Sequence, residues 1–394
     1  MPSSVFFKQR VMTPGPTDVP PEVLSEMAKP IIHHRTKQFQ VILQELSEGL
    51  QKLLRTSGPV LTISGSGTTA FEAAQASLAI PGSKALTIST GKFGERWQDV
   101  YDAYGIKQIK IDVPWGQAVD PGQVEQTLRD NPDITIVTLV HSETSTATAS
   151  DARAIAEIVQ RTNALLLVDG ITSIGALPVE QDNWGIDVLV TGSQKAMMLP
   201  PGLGFVGLGP RAIKRLDETK GLPVYNLDLR KWYKGWQKNN PPFTPPVSLI
   251  RGQLVALKMI EAAGLDNIWD RTAALAAASR EAFRAMGLTL CSQSPSDSVT
   301  GAFYPQGVED KKFRSSMRDT HGIHIAGGQD GRGAKWEGKI FRISHMGYVD
   351  AGDTLAALAA IEIELGRLGH DVRPGAALSA AARELTGEPT TAGV

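Results

Sequence analysis

The chain of 394 residues has one cysteine, Cys291, so it can build neither an intrachain disulfide nor a multi-cysteine zinc site. It has no apolar run near the roughly 20 residues that cross a bilayer. No apolar stretch of about 7–15 residues of the kind a secretory signal carries lies near Met1–Arg10. A surplus of one charge is missing too: 40 Lys and Arg oppose 41 Asp and Glu, for a net charge of −1. A non-specific nucleic-acid binder needs excess cations, so neither nucleic acid nor membrane is an expected partner. The histidines show no H-E-x-x-H or similar spacing, so no metal is expected. What is present, 42% apolar and 21% charged residues, is ordinary for a globular chain. The expectation is a cytoplasmic protein of two or three domains.

Three prolines and one glycine between Thr13 and Pro20 make residues 1–20 read as an extended arm outside the core. Helical periodicity is clear from Thr36 to Leu54, where Phe39, Ile42, Leu43, Leu46, Leu50 and Leu53 recur at three and four residues. Apolar runs then follow at Val60–Ile63, Lys84–Ile88, Gln108–Val113, Ile134–Val140 and Ala164–Val168. Helical segments separate them, at Thr68–Ala79, Phe93–Tyr104, Pro121–Arg129 and Ala149–Gln160. This alternation predicts an α/β fold with a mainly parallel sheet covered on both faces. Two more strands, Asp187–Thr191 and Gly204–Leu208, lie too close for a long helix between them and leave room for one antiparallel strand. Beyond Pro241 come alanine-rich helices (Ser248–Ala263, Asn267–Met286), strands (Val299–Tyr304, Ile323–Ala326, Ile340–Ser344) and a helix at Thr354–Leu365. The expected parts are the arm, a large α/β domain over 21–265 and a smaller α+β domain over 266–394. The last part ends in a short helix at Ala376–Leu385 and a polar, disordered tail.

Three places can carry chemistry. Ser64-Gly65-Ser66-Gly67-Thr68-Thr69-Ala70 follows a strand and opens a helix, where free N–H groups favour a phosphate. The same residues suit a plain helix cap. They also fit G-x-G-x-x-A of a dinucleotide site, but that wants a carboxylate at the next strand end, which reads Ile88-Ser89-Thr90-Gly91. Asp169 ends an apolar strand, and Lys195 follows a later one, 26 residues on, with apolar flanks unusual for a solvated lysine. A phosphate turn, a strand-end Asp and a Lys together are what pyridoxal phosphate (PLP) requires. A carboxylate about 3 Å from a pyridinium gains roughly 5 kcal/mol at an effective dielectric of 20, enough to hold the ring proton at neutral pH.

The ordered set SGSGTTA, GKFGERW, HSETSTA, LLLVDGITSIG, TGSQKAMMLPPG and GKIFRISHMG resembles the class V, fold-type I PLP aminotransferases, particularly the alanine–glyoxylate and serine–glyoxylate group. The likeness runs from Thr13-Pro14-Gly15 to Phe341-Arg342-Ile343-Ser344 and implies a large domain with a seven-stranded sheet, mainly parallel. It implies that Lys195 is the Schiff-base lysine and Asp169 the partner of the ring nitrogen. Ser66, Gly67, Thr68 and Gln194 would hold the phosphate, Phe93 would stack on the ring, and Thr144 would stand near its phenolic oxygen. Thr244 would reach the phosphate of a neighbouring subunit in a homodimer, with Pro241 where some relatives carry a tyrosine. Arg342 would bind the substrate carboxylate as a guanidinium fork, and Gly15 would line the pocket. Arg35, in His33-His34-Arg35, would meet a second carboxylate if the substrate is dicarboxylic, or else lies on a solvated loop.

The implied reaction moves an amino group from alanine or serine to glyoxylate by a ping-pong route, with a class V aspartate aminotransferase as the alternative. A cysteine desulfurase would need Cys291 on a mobile loop, and an NAD-dependent oxidoreductase would use Gly65, Gly67 and Ala70. A non-catalytic relative would lack the lysine or the aspartate, and both are here.

Overall fold

The computed structural model describes residues 8–80, 82–219 and 224–386. The apolar runs form seven strands: β1 (Val60–Gly65), β2 (Lys84–Ser89), β3 (Lys107–Asp112), β4 (Ile134–Val140), β5 (Leu165–Asp169), β6 (Val188–Gly192) and β7 (Gly202–Leu208). They lie in the order β1-β7-β6-β5-β4-β2-β3. Only β7 runs antiparallel to its neighbours. The link of residues 193–201 is too short for the crossover that a parallel partner needs, so the chain doubles back.

Helices α1 (Lys37–Leu54), α2 (Gly67–Leu78), α3 (Lys92–Ala103), α4 (Pro121–Asp130) and α5 (Ala152–Val159) cover the sheet. Successive strand side chains point to opposite faces. Leu166 and Val168 of β5 therefore pack with Leu46 and Leu50 of α1, while Leu165 and Leu167 pack with Phe71 of α2 and Trp97 of α3. At α1 the expected boundary is met, because the Thr36 hydroxyl accepts from Phe39 N–H at 3.3 Å and caps the helix.

Helices α6 (Val247–Ala263) and α7 (Leu265–Ala285) lead into a second core. Ile268 packs in the first core and Leu275 in the second, so α7 passes between them. The second core holds a three-stranded antiparallel sheet, β8 (Val299–Phe303), β10 (Ile340–Ser344) and β9 (Ala326–Gly327) in that spatial order. Around it lie α8 (Asp310–His321), α9 (Ala351–Arg367) and α10 (Ala376–Thr386). Helix α8 had no counterpart in the sequence reading. Its buried stripe, Phe313 and Met317 with only Asp310 besides, is too narrow to stand out among charges.

Two expectations change. The strand expected at Ile323–Ala326 is split: Ile323–His324 pairs in parallel with Arg10–Val11, and Ala326–Gly327 pairs with β10. The N-terminal segment is thus part of the smaller core, where Met12, 1% exposed, packs with Leu275, Phe283 and Phe341. Prolines on both sides of Gly15 masked a segment that is apolar only at Val11 and Met12. The tail expected to be disordered, 387–394, lies outside the described residues.

Candidate active site

The loops that follow β1, β2, β4, β5 and β6 meet at the carboxyl ends of the strands, where open α/β sheets bind ligands. Glycines let them approach. At Gly204 of β7 a Cβ would lie 2.6 Å from Ser66 O and 2.8 Å from Ala70 Cβ, so only glycine admits the first turn of α2. A cavity of about 440 Å³ opens there, lined by Gly67, Thr68, Phe93, Arg96, Val140, Ser142, Asp169, Ile171, Thr172, Gln194 and Lys195.

At one end of the cavity α2 presents its first N–H groups beside the Thr68 hydroxyl, an anion site by dipole and donors together. Ser66 is not in the lining, and its N–H is spent on Thr69 Oγ1 at 3.1 Å. The Gln194 amide oxygen is buried without a partner among the described residues, beside the backbone of Gly67. Buried amide groups are rarely left so, and an incoming donor or bound water would satisfy it.

Asp169, 4% exposed, accepts Trp97 Nε1–H at 2.8 Å and Ile171 N–H at 2.9 Å. Burial dominates over those two donors and pushes its carboxyl up to about 7. A cation placed against it would restore the ionised form. Trp97 is itself fixed, stacked on Phe71 at 3.7 Å between centroids.

Lys195 Nζ donates to Pro14 O at 2.6 Å. Gly15 is indispensable there: with φ at +131°, it leaves space where a Cβ would sit 1.9 Å from that amine. Thr17 Oγ1 donates to Lys195 O at 2.8 Å, so the N-terminal segment grips the lysine from both ends. Burial first, then the charge of Arg342, bring the amine down to about 8.

Arg342, 4% exposed on β10, donates to Gly327 O (2.6 Å from Nη2) and to Thr144 O. It has no carboxylate partner among the described residues. Burial lowers its guanidinium to about 10. Thr144, expected near the phenolic oxygen, gives its carbonyl to this arginine and is not among the residues that line the cavity. Besides Thr68, the hydroxyl residues in the lining are Ser142 and Thr172, joined by Thr172 Oγ1–H to Ser142 O at 2.8 Å. The 142–146 stretch is rich in hydroxyls, and the sequence alone does not say which of them faces the cavity.

Phe93 lines the cavity with the Arg96 guanidinium 4.9 Å from its ring centroid, and Arg96 Nη1 reaches Thr68 Oγ1 at 3.3 Å. Arg96 and Trp97 were missed, although they follow Phe93 by three and four residues and so share its helix face. Arg35 lies outside the cavity, bonded to Asn240 Oδ1 and to Pro241 O. Thr244 is exposed, also outside the lining.

A ligand that used all of this would be anionic at the α2 end, would carry a basic nitrogen for Asp169, and would have an electrophilic carbon within reach of Lys195. PLP has these three features, and the fold is that of the type I PLP-dependent transferases. The class V aminotransferase profile matches residues 12–353, and the chain belongs to that family. It is a PLP-dependent transaminase acting on an amino acid and a 2-oxo acid. It is 40% identical to a soluble hydrogenase small subunit of a Synechococcus species, over 96% of this chain and 99% of that one. It is 35% identical to the L-aspartate–glyoxylate aminotransferase of Paracoccus denitrificans, over 94% of each chain. The solved pyridoxamine–pyruvate aminotransferase of Mesorhizobium loti superposes with a TM-score of 0.92 at 29% identity, covering 98% of this chain and 99% of that one. Among the described residues no group of three or more metal-ligating side chains is found, and no helix is long and apolar enough to cross a membrane.

Proposed function

We propose that the chain moves an amino group from alanine or serine to glyoxylate by a ping-pong route, with aspartate as the alternative donor. One observation carries the reading: Arg342 is a buried guanidinium that among the described residues has only carbonyl partners, and its charge reaches Lys195. It suits the single carboxylate common to amino acids and 2-oxo acids. A small donor agrees with Arg35 being turned to Asn240 and Pro241. Glyoxylate, the smallest 2-oxo acid, agrees with the name of the Paracoccus relative.

In this reading Gly67, Thr68 and Gln194 hold the phosphate of PLP, Phe93 covers one face of the ring and keeps water off it, and Ser142 or Thr172 faces the phenolic oxygen. PLP supplies an aldehyde for the amino group and a ring that draws electrons from the substrate Cα. Asp169 holds a proton at the ring nitrogen. Lys195 Nζ, once free, takes the proton from Cα, and an amine brought down to about 8 is suited to that work near neutral pH. Arg342 fixes the substrate carboxylate so that the Cα–H bond faces Lys195. Thr244, exposed in one subunit, completes the phosphate site of a second in a cytoplasmic homodimer. The small unit begins at about residue 266.

Two rivals lose support. Cys291 is buried against Thr146 O, with its thiol pushed up to about 12, which unfits it as a desulfurase nucleophile. A nicotinamide site would want a carboxylate after β2, where Gly91 instead backs onto the loop of Glu143 and Ser145.

The test is a panel of alanine, serine and aspartate against glyoxylate, pyruvate and 2-oxoglutarate, run with wild type and Lys195→Ala. The expected result is fastest turnover of alanine or serine with glyoxylate, and neither turnover nor a lysine-linked yellow band in the variant. Fastest turnover of aspartate selects the alternative, and activity that survives in Lys195→Ala overturns the site.

A further inference from the structure

Helix α3 carries Phe93 and Arg96 into the cavity and sets Trp97 behind Asp169, yet it begins without a cap of its own. The first N–H groups of any helix lack intrahelical partners, and the N-cap residue here, Gly91, has no side chain to offer them. The missing acceptors come from 50 residues away. Glu143 Oε2 accepts Phe93 N–H and Gly94 N–H, each at 3.0 Å. Glu143 Oε1 accepts Ser145 N–H at 3.2 Å and the Ser145 hydroxyl, whose oxygen accepts Lys92 N–H at 2.9 Å. The first three helical residues of α3 are thus held by one carboxylate and one hydroxyl.

Gly91 belongs to the same device. A Cβ there would come within 2.5 Å of Glu143 Cγ and of Ser145 Oγ, so glycine is required for the acid to close on the helix. Glu143 is 0% exposed; burial pushes its carboxyl up, and four hydrogen bonds from donors alone, the kind an ionised carboxylate accepts, oppose that. It also sits at the positive end of the α3 dipole. A buried charge is costly, and a neutral Ser or Asn at the N-cap would hold an ordinary helix.

We propose that Glu143 is a positioning residue for the cofactor: it pins the first turn of α3 so that Phe93 faces the ring and Trp97 reaches Asp169. The inference rests on the assignment of Phe93 and Asp169 to PLP made above. The coupling runs through four residues of one helix. With Phe93 N–H held, the following turn places Trp97 Nε1 at 2.8 Å from Asp169 Oδ2. The same loop passes its Thr144 carbonyl to Arg342, so ring and substrate carboxylate are referred to one stretch of chain.

Glu143→Gln tests this, because an amide must turn its NH2 toward one of the two donor pairs and leave a backbone N–H of that pair without an acceptor. The measurement is PLP titration of the apoprotein, followed by tryptophan fluorescence and by visible circular dichroism of the bound cofactor. In Glu143→Gln the PLP dissociation constant is expected to rise about tenfold or more, with a weakened dichroic band, from the loss of one charged hydrogen bond. In the background Phe93→Leu/Trp97→Phe the further effect of Glu143→Gln should shrink to about twofold or less, because Glu143 acts through those two side chains. An unchanged dissociation constant, or effects that multiply in full, overturns the proposal. If Glu143→Gln does not fold, Ser145→Ala decides: a several-fold weakening that disappears in the same double background supports the pin, and no weakening, or one that persists there, refutes it. Lys195→Ala in parallel separates the two readings. If that variant keeps the yellow band, the site assignment fails, whereas its loss together with normal PLP affinity in Glu143→Gln sinks the positioning role alone.

Discussion

At the residue scale the site is two buried titratable groups displaced in opposite directions by the same cause. Desolvation disfavours charge, so it raises Asp169 to about 7 and lowers Lys195 to about 8. For the lysine the consequence has a definite sign. In the proposed site the neutral amine is the form that attacks the PLP aldehyde, and its fraction grows as pH rises through the folded-state value. The rate of PLP uptake by apoprotein is therefore expected to climb between about pH 7 and 9 and to level off above that, as followed by the visible band in stopped flow. A midpoint near 10.5, the ordinary lysine value, would contradict the burial argument. Most of these residues were legible because each is a reactive type at a strand end. Trp97 was not, since an indole N–H gives no sign in the sequence of which carboxylate it will meet.

At the scale of elements, short segments matter more than their length suggests. The two-residue strand Arg10–Val11 and the buried Met12 anchor the turn whose Pro14 carbonyl and Gly15 backbone hold Lys195. Met12→Ala removes a large side chain from a closed core. It is expected to cost about 2–5 kcal/mol of stability by denaturant titration and to weaken PLP binding together with it. A loss under about 1 kcal/mol would mean that this core can collapse around the gap or that the anchor lies elsewhere. The long elements were readable in advance: α1 begins at its Thr36 cap, and β4 keeps the bounds Ile134–Val140. The N-terminal strand was not, because two residues carry no periodicity and its partner, Ile323–His324, lies over 300 residues away.

At the scale of the whole molecule, the proposed dimer makes a prediction that one chain cannot. If Thr244 reaches the phosphate of a second subunit, Thr244→Ala alone should bind PLP more weakly. Mixing it with Lys195→Ala by partial unfolding and reassociation should then restore wild-type affinity at one site in two. In such a hybrid the Lys195 of one chain meets the intact Thr244 of the other. Failure to restore that site, with hybrids present by mass, would place Thr244 in its own subunit or out of the site.

The sequence by itself determined the alternation of strand and helix, the reactive side chains at the strand ends and the glycine-rich turn before α2, because these rest on local periodicity and on residue chemistry. Only the tertiary structure decided which donors meet which acceptors. The pairing of Trp97 with Asp169, Lys195 with the Pro14 carbonyl, Arg342 with the Thr144 carbonyl and Glu143 with the start of α3 joins residues from 50 to nearly 200 positions apart. Side-chain hydrogen bonds across such distances follow from packing, which no stretch of chain specifies alone.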